Sequence, residues 1–173
     1  EKFTAEQYSE IADGYIQRKK FINYNPKGVS GIAFNTLEPP FNDIKVREAF
    51  TYLWDVDKLI DKLFFNEYIR TNSWYPRSQY EHPDNPKQYY NPDKALKLLN
   101  EAGWAKKPGE QWLSKDTMKM IFDFNIYQGW DRIFNYFVQD VEAIGVKLNL
   151  NVMQNPFEVL MKRKYKLQRA GWT

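Results

Sequence analysis

The strongest constraint on this chain lies in residues 118–152, where the apolar spacing changes period twice. Met118, Met120, Phe122, Phe124 and Ile126 alternate with residues that include Lys119, Asp123 and Asn125. That is the two-residue repeat of a strand with one covered face. Tyr127-Gln128-Gly129-Trp130 reads as a turn. Phe134, Phe137, Val138 and Val141 then follow at helical spacing as far as Gly145, after which Val146, Leu148, Leu150 and Val152 alternate again. Strand, helix and strand at this separation predict a βαβ unit, parallel and right-handed.

Further elements surround this unit. Residues 31–35 form a short apolar run, and Pro39 and Pro40 turn the chain because neither suits a central strand or a helix interior. Asn42 or Asp43 caps a helix whose buried stripe is Val46, Ala49, Phe50, Leu53 and Trp54. Asp55 is a second cap, with Leu59, Ile60, Leu63 and Phe64 continuing the spacing. Asn91-Pro92-Asp93 opens another helix, with Ala95, Leu98, Leu99 and Ala102 inward and Gly103 at its end. Asn155-Pro156-Phe157-Glu158 caps a last helix with Phe157, Leu160 and Met161 as core residues, and residues 165–172 return as a strand. At the N-terminus, Thr4-Ala5-Glu6-Gln7 fits a capping box for a short helix that buries Tyr8, Ile11 and Ala12. Residues 16–24 read as an edge strand guarded by Arg18, Lys19 and Lys20. Residues 69–91, rich in Pro, Asn, Tyr and Ser, are too long for a simple connector. The expected fold is one α/β domain, with a mixed sheet and helices on both faces.

Composition excludes several functions. There is no cysteine, so disulfides, thiolate zinc sites and thiol nucleophiles are out. A net charge of +3 argues for no nucleic-acid or membrane partner, and the basic residues form no single stripe. The only histidine, His82, lies in the Pro-rich loop with no nucleophile elbow in the chain, so a hydrolase triad has no base. Asp55, Asp57 and Asp61 have the right chemistry for a metal, but acids at a helix start more often serve its N-terminus. Gly28-x-x-Gly31 precedes a strand rather than a helix, so it is no dinucleotide loop. No enzyme, metal or cofactor is expected. A binding role fits better, because ligands of open α/β sheets sit at the carboxyl ends of strands. Those ends carry Tyr127, Gln128 and Trp130 after one strand, and Met153, Gln154 and Asn155 after another. Aromatic faces and amides suit a peptide or a sugar, and turn packing accounts for each such residue equally well.

Several short motifs in order carry a resemblance. Phe34-Asn35-Thr36, Pro40-Phe41, Asp43, Val46-Arg47-x-Ala49 and Asp55-x-x-Lys58-Leu59-Ile60 are followed by Tyr90-Asn91-Pro92-x-x-Ala95, then Leu98-Leu99 and Ala102-Gly103-Trp104. Ile144-Gly145-Val146-x-Leu148 and Arg169-Ala170-Gly171-Trp172 complete the set. Together they resemble the bacterial extracellular solute-binding proteins of family 5, the oligopeptide- and dipeptide-type receptors of ABC importers. Residues 14–35 and 127–132 resemble the long-peptide branch that includes the microcin C importer's receptor. The resemblance implies one lobe of a two-lobed, type II periplasmic-binding-protein-like clamp, with residues 1–173 as the second lobe of a longer protein. It further implies an oligopeptide ligand, the other lobe of the same chain and membrane permease subunits as partners, and a periplasmic or lipid-anchored location. An oligosaccharide receptor of the same fold is the alternative.

The resemblance also implies site residues. In related oligopeptide receptors the Arg of Arg-Ala-Gly-Trp contacts the peptide's C-terminal end and the Trp lines a side-chain pocket, roles that fall to Arg169 and Trp172. Phe157 stands where those receptors often carry a pocket Trp. An acidic residue that pairs with the peptide's amino terminus lies beyond Thr173, so residues 1–173 alone are expected to bind peptide poorly. A surface ion pair is the competing explanation for Arg169.

Overall fold

The computed structural model describes residues 5–17, 19, 21, 28–76 and 78–172, with the side chains of residues 5, 6 and 172 left aside. The elements in chain order are α1 (Ala5–Ala12), β1 (Val29–Phe34), α2 (Ile44–Thr51), α3 (Val56–Lys62), α4 (Pro92–Glu101), β2 (Ala105–Lys106), β3 (Leu113–Lys115), β4 (Met118–Lys119), β5 (Ile121–Tyr127), α5 (Asp131–Glu142), β6 (Lys147–Met153), α6 (Pro156–Met161) and β7 (Leu167–Trp172). The main sheet runs β1-β7-β5-β6. The predicted βαβ unit is present, since β5 and β6 pair in parallel from Ile121↔Lys147 to Tyr127↔Met153. Strand β7 lies parallel to β5 on its other side, and β1 runs antiparallel to β7. The sheet is therefore mixed, as expected.

Register sorts the side chains. Phe122, Phe124 and Ile126 share a face with Leu148, Leu150 and Val152, and Leu167 joins them opposite Phe124. Helices α2, α4 and α5 supply the matching apolar stripes: Val46, Ala49 and Phe50; Ala95 and Leu99; Phe134, Phe137 and Val141, all buried. Leu53 and Ala102, beyond the ends of α2 and α4, are buried with them, and Trp54 packs against this core part-buried. The rings interlock, with Phe124 4.7 Å from Phe134 and Phe41 5.1 Å from Phe50. Burial of such side chains contributes roughly 1.5–3 kcal/mol each.

Caps fall largely where expected. The carboxylate of Asp43 accepts from Lys45 N, that of Asp55 from Lys58 N, and Asn91 Oδ1 from Lys94 N. Gly103 and Gly145 take φ of 88° and 94°, the left-handed turn after a helix that glycine adopts at least cost. Residues carrying the resemblance tie the scaffold together: Asn35 Nδ2 donates to Arg163 O at 3.2 Å, and Arg47 Nη1 to Phe41 O at 2.7 Å.

Several expectations need correction. The strand expected over residues 118–126 is two strands. Met120 N donates to Leu113 O while Met120 O accepts from Lys147 N, each at 2.8 Å. One residue thus serves two sheets, and Met118 is left exposed in the small β2-β3-β4 sheet. Helix α6 does not bury Phe157 or Met161, which are 57% and 67% exposed. It meets the sheet through its first residue, Pro156 O accepting from Gln168 Nε2, so its apolar side chains are not drawn inward. Asn155 makes no side-chain cap bond. Val152 is exposed at the end of β6, the sheet's edge strand. Helix α1 leaves Tyr8 and Ala12 exposed, since a helix this short brings few packing contacts. Ile16, Gln17, Lys19 and Phe21 form no strand, while Thr4, Arg18, Lys20 and residues 22–27 lie outside the described residues. Helices do occupy both faces, but unequally: α2, α4 and α5 cover one, and the six residues of α6 lie over the other.

Candidate functional site at the carboxyl edge of the sheet

Strands β5, β6 and β7 all end at one edge of the main sheet, and antiparallel β1 begins there. Arg169 lies on β7 near that edge. Its alternation with Leu167 places it on the covered side of the sheet, opposite Ile32 of β1. The side chain runs towards the edge, where the Tyr127–Trp130 turn receives it. Its Cζ lies 4.2 Å from the Trp130 ring centroid and 5.3 Å from that of Tyr127. Arg169 Nη2 donates to Ser30 Oγ at 2.8 Å, while Nε is buried and has no hydrogen-bond partner. Trp130 is anchored in turn by Phe134, 6.1 Å away. Trp130 is also the N-cap residue of α5 and gives that helix no side-chain cap. The amino end of α5, with Asp131 in its first turn, therefore lies beside the ring that holds the guanidinium. A planar cation held on aromatic rings presents its N–H donors in a fixed fork, the geometry that a carboxylate or phosphate accepts.

The structure thus joins three of the six residues expected at a site, Tyr127, Trp130 and Arg169. Gln128 is exposed in the turn between the two rings. Trp172 pairs with Val29 at the end of β7. Phe157 is exposed on α6, outside the stack. The competing explanation for Arg169 is also tested: its described partners are two rings and a hydroxyl, not a carboxylate. Ser30 and Gly171 were missed. Gly171 is two residues from Arg169, hence on the same face, and that spacing is readable in sequence. Ser30 becomes a neighbour only through the β1–β7 register.

A groove also lies elsewhere. It is an open trough of about 650 Å³ on the less covered face, lined by Asp123, Asn125, Asn151, Tyr165, Lys164 and Lys166 among others. Its polar groups largely satisfy one another: Asn151 donates to Asn125 at 2.9 Å and Lys166 to Glu38 at 2.7 Å. Burial pushes the Tyr165 phenol above its ordinary value, with Arg163 opposing. None of the six expected residues lines this trough. Of the two places, the edge is the one that buries a charged donor without a hydrogen-bond partner.

Elsewhere, polar candidates serve local structure. Asp55 caps α3, Asp57 pairs with Arg70 at 3.3 Å and Asp61 with Lys62 at 2.8 Å. His82 Nδ1 accepts from Asp84 N. Among the described residues, no helix is long and apolar enough to cross a membrane.

A family model described as bacterial extracellular solute-binding proteins, family 5 (middle region) matches residues 3–173. The chain is 26% identical over 179 residues to the uncharacterized protein YejA of Escherichia coli K12, covering 82% of this chain and 29% of YejA. It is 29% identical over 133 residues to the oligopeptide-binding protein AppA of Bacillus subtilis, covering 71% of this chain and 24% of AppA. The solved structure of Bacillus subtilis AppA in complex with a nonapeptide matches 86% of this chain and 33% of that one, with a TM-score of 0.72 at 23% identity. The chain therefore spans less than a third of the length of these curated relatives.

Proposed function

Because the chain belongs to the bacterial extracellular solute-binding proteins, family 5, we propose that it is one lobe of a two-lobed receptor that captures oligopeptides and delivers them to an ABC importer. The family is one of extracellular binding proteins. Here the peptide lies against the carboxyl edge of the main sheet, between this lobe and a second one, and hinge closure of the lobes retains it. Arg169 receives the peptide's C-terminal carboxylate, Tyr127 and Trp130 hold the guanidinium and offer apolar surface, and Gln128 supplies an amide to the peptide backbone. Trp172, at the end of the same strand, lines a side-chain pocket. The receptor works in the periplasm or from a lipid anchor, and its membrane partners are permease subunits.

One observation carries this reading. A half-buried guanidinium lies over the Trp130 ring at 4.2 Å at the strand ends, with a buried Nε and no carboxylate among its described partners. AppA, an oligopeptide-binding protein whose solved structure holds a nonapeptide, supports the choice of ligand class. The test is native mass spectrometry of the full-length receptor, purified without refolding. Bound masses that fragment into amino acids are the expected result. Hexose-spaced masses would replace the peptide with an oligosaccharide and remove the carboxylate role from Arg169.

A further inference from the structure

The setting of Arg169 is more specific than a cation at an edge requires. An arginine side chain has much rotamer freedom, which a flexible residue loses when it grips a ligand. Here much of that loss is already met. Trp130 lies under the guanidinium at 4.2 Å and Tyr127 flanks it at 5.3 Å. Ser30 Oγ accepts from Nη2 at 2.8 Å and so sets the rotation of the plane. Gly171 provides the remaining constraint. A Cβ built there would stand 3.3 Å from Arg169 Nη2 and 3.5 Å from both Cζ and Nη1. The guanidinium therefore lies against the bare backbone of Gly171. Its φ is not in the left-handed region, so the missing side chain answers a need for space rather than for backbone freedom.

The orientation follows from the buried atom. Nε is enclosed and unpartnered, so the donors open to a ligand are those of the Nη edge. We infer that Trp130, Ser30 and Gly171 are positioning residues that hold the Arg169 guanidinium in place over the Trp130 ring, and that this setting makes the receptor select ligands with a free carboxylate over ligands with a neutral end. The inference rests on the reading that Arg169 receives the peptide's C-terminus. It adds which residues make that recognition selective and why glycine occupies position 171.

The experiment is a competition on the full-length receptor. Two mixed-sequence nonapeptide pools, one of free acids and one of C-terminal amides, are offered together, and the captured ratio is read by native mass spectrometry. The wild type is expected to favour acids. Trp130→Ala is expected to lower that preference about tenfold, in line with a partly desolvated cation–π contact, while Trp130→Phe, which keeps a ring, restores most of it. Gly171→Val is expected to lower the preference similarly with an unchanged melting temperature, because an exposed strand position accepts a β-branched residue. If Trp130→Ala fails to fold, Gly171→Val and Ser30→Ala carry the test. A wild type that captures nothing, or captures both pools equally, overturns the C-terminal role of Arg169 and this inference with it. A wild type that prefers acids, with Gly171→Val and Ser30→Ala keeping the full preference, overturns the positioning inference alone.

Discussion

Strand β5 ends two different assemblies of aromatic rings. On its covered face Phe124 meets Phe134 at 4.7 Å and Phe137 at 6.1 Å, both edge to face. Three residues on, Tyr127 meets the guanidinium of Arg169, and Trp130 lies against the same group. The inner rings complete one another and exclude water. The outer rings hold a charge whose donors still need an acceptor. Aromatic abundance alone therefore says little about this chain; position relative to the strand ends separates packing from binding.

The largest effect expected tests that separation directly. Phe124→Ala should destabilise the chain by about 3–5 kcal/mol, the range for emptying a buried ring site, read as a shift of the urea unfolding midpoint. Tyr127→Ala should cost about 1 kcal/mol or less, as substitutions away from the core do. Equal costs would mean that the edge rings belong to the core and the distinction fails.

Arg169 sharpens the same comparison from the binding side. Arg169→Ala in the full-length receptor should weaken capture of free-acid peptides by about 10–100-fold, the scale of a hydrogen bond to a charged group. The melting temperature should be nearly unchanged. Arg169→Lys should recover little, because an ammonium has no planar fork to rest on Trp130. Recovery by lysine would show that charge alone matters at this edge.

What could be read in advance divides along the same line. The covered face was legible because its apolar residues repeat at the period of the element that carries them, as in Phe122, Phe124 and Ile126 or Phe134, Phe137 and Val141. The helix starts at Asp43, Asp55 and Asn91 were legible because capping is local chemistry. Motifs that carried the family resemblance, such as Asn35 and Arg47, prove to be scaffold: each ties a loop or strand end to its neighbour. The small β2-β3-β4 sheet was not legible, since its strands are two or three residues long and show no period. Phe157 and Met161 misled because helical spacing reports an apolar face, not whether anything covers it. The edge was half legible. Arg169, Tyr127 and Trp130 stand out by type and by place after a strand, whereas Ser30 reaches Arg169 only through a β1–β7 register that no local pattern encodes.

Among the described residues, the covered side also buries a carboxylate, which makes a contrast with the cation at the edge. Asp140 on α5 is 5% exposed, accepts from Asp55 N at 3.2 Å and lies 3.7 Å from Lys58 Nζ. Burial raises its pKa above 3.8, with the Asp55 N–H and Lys58 opposing. A carboxyl whose folded pKa is raised favours folding in its protonated form. That contribution is fully present below the unfolded value and is lost as pH rises through the folded one. Asp140→Asn keeps an acceptor for Asp55 N and removes the charge. Its melting temperature should exceed the wild type's at neutral pH, and the difference should shrink as pH falls towards the ordinary carboxylate value. A variant less stable than wild type at neutral pH would show that the pairing with Lys58 outweighs the burial.

The smallest effect compares two Asn-Pro helix starts, one on each side of the sheet. Asn91 precedes Pro92 on α4, and its Oδ1 accepts from Lys94 N at 2.9 Å. Asn155 precedes Pro156 on α6 without any side-chain cap bond, in a helix whose only buried residue is Pro156. The sequence signature is the same, but only α4 has a neighbouring helix and an apolar stripe to hold its first turn in register. Asn91→Ala should therefore cost about 1 kcal/mol, the usual loss for a working cap. Asn155→Ala should cost no more than about 0.5 kcal/mol, as for a surface position. Both are measured by chemical denaturation of this chain. Equal losses would mean that α6 is held as firmly as the helices on the covered face, and that its exposed Phe157 and Met161 sit on a fixed support rather than a weakly anchored turn.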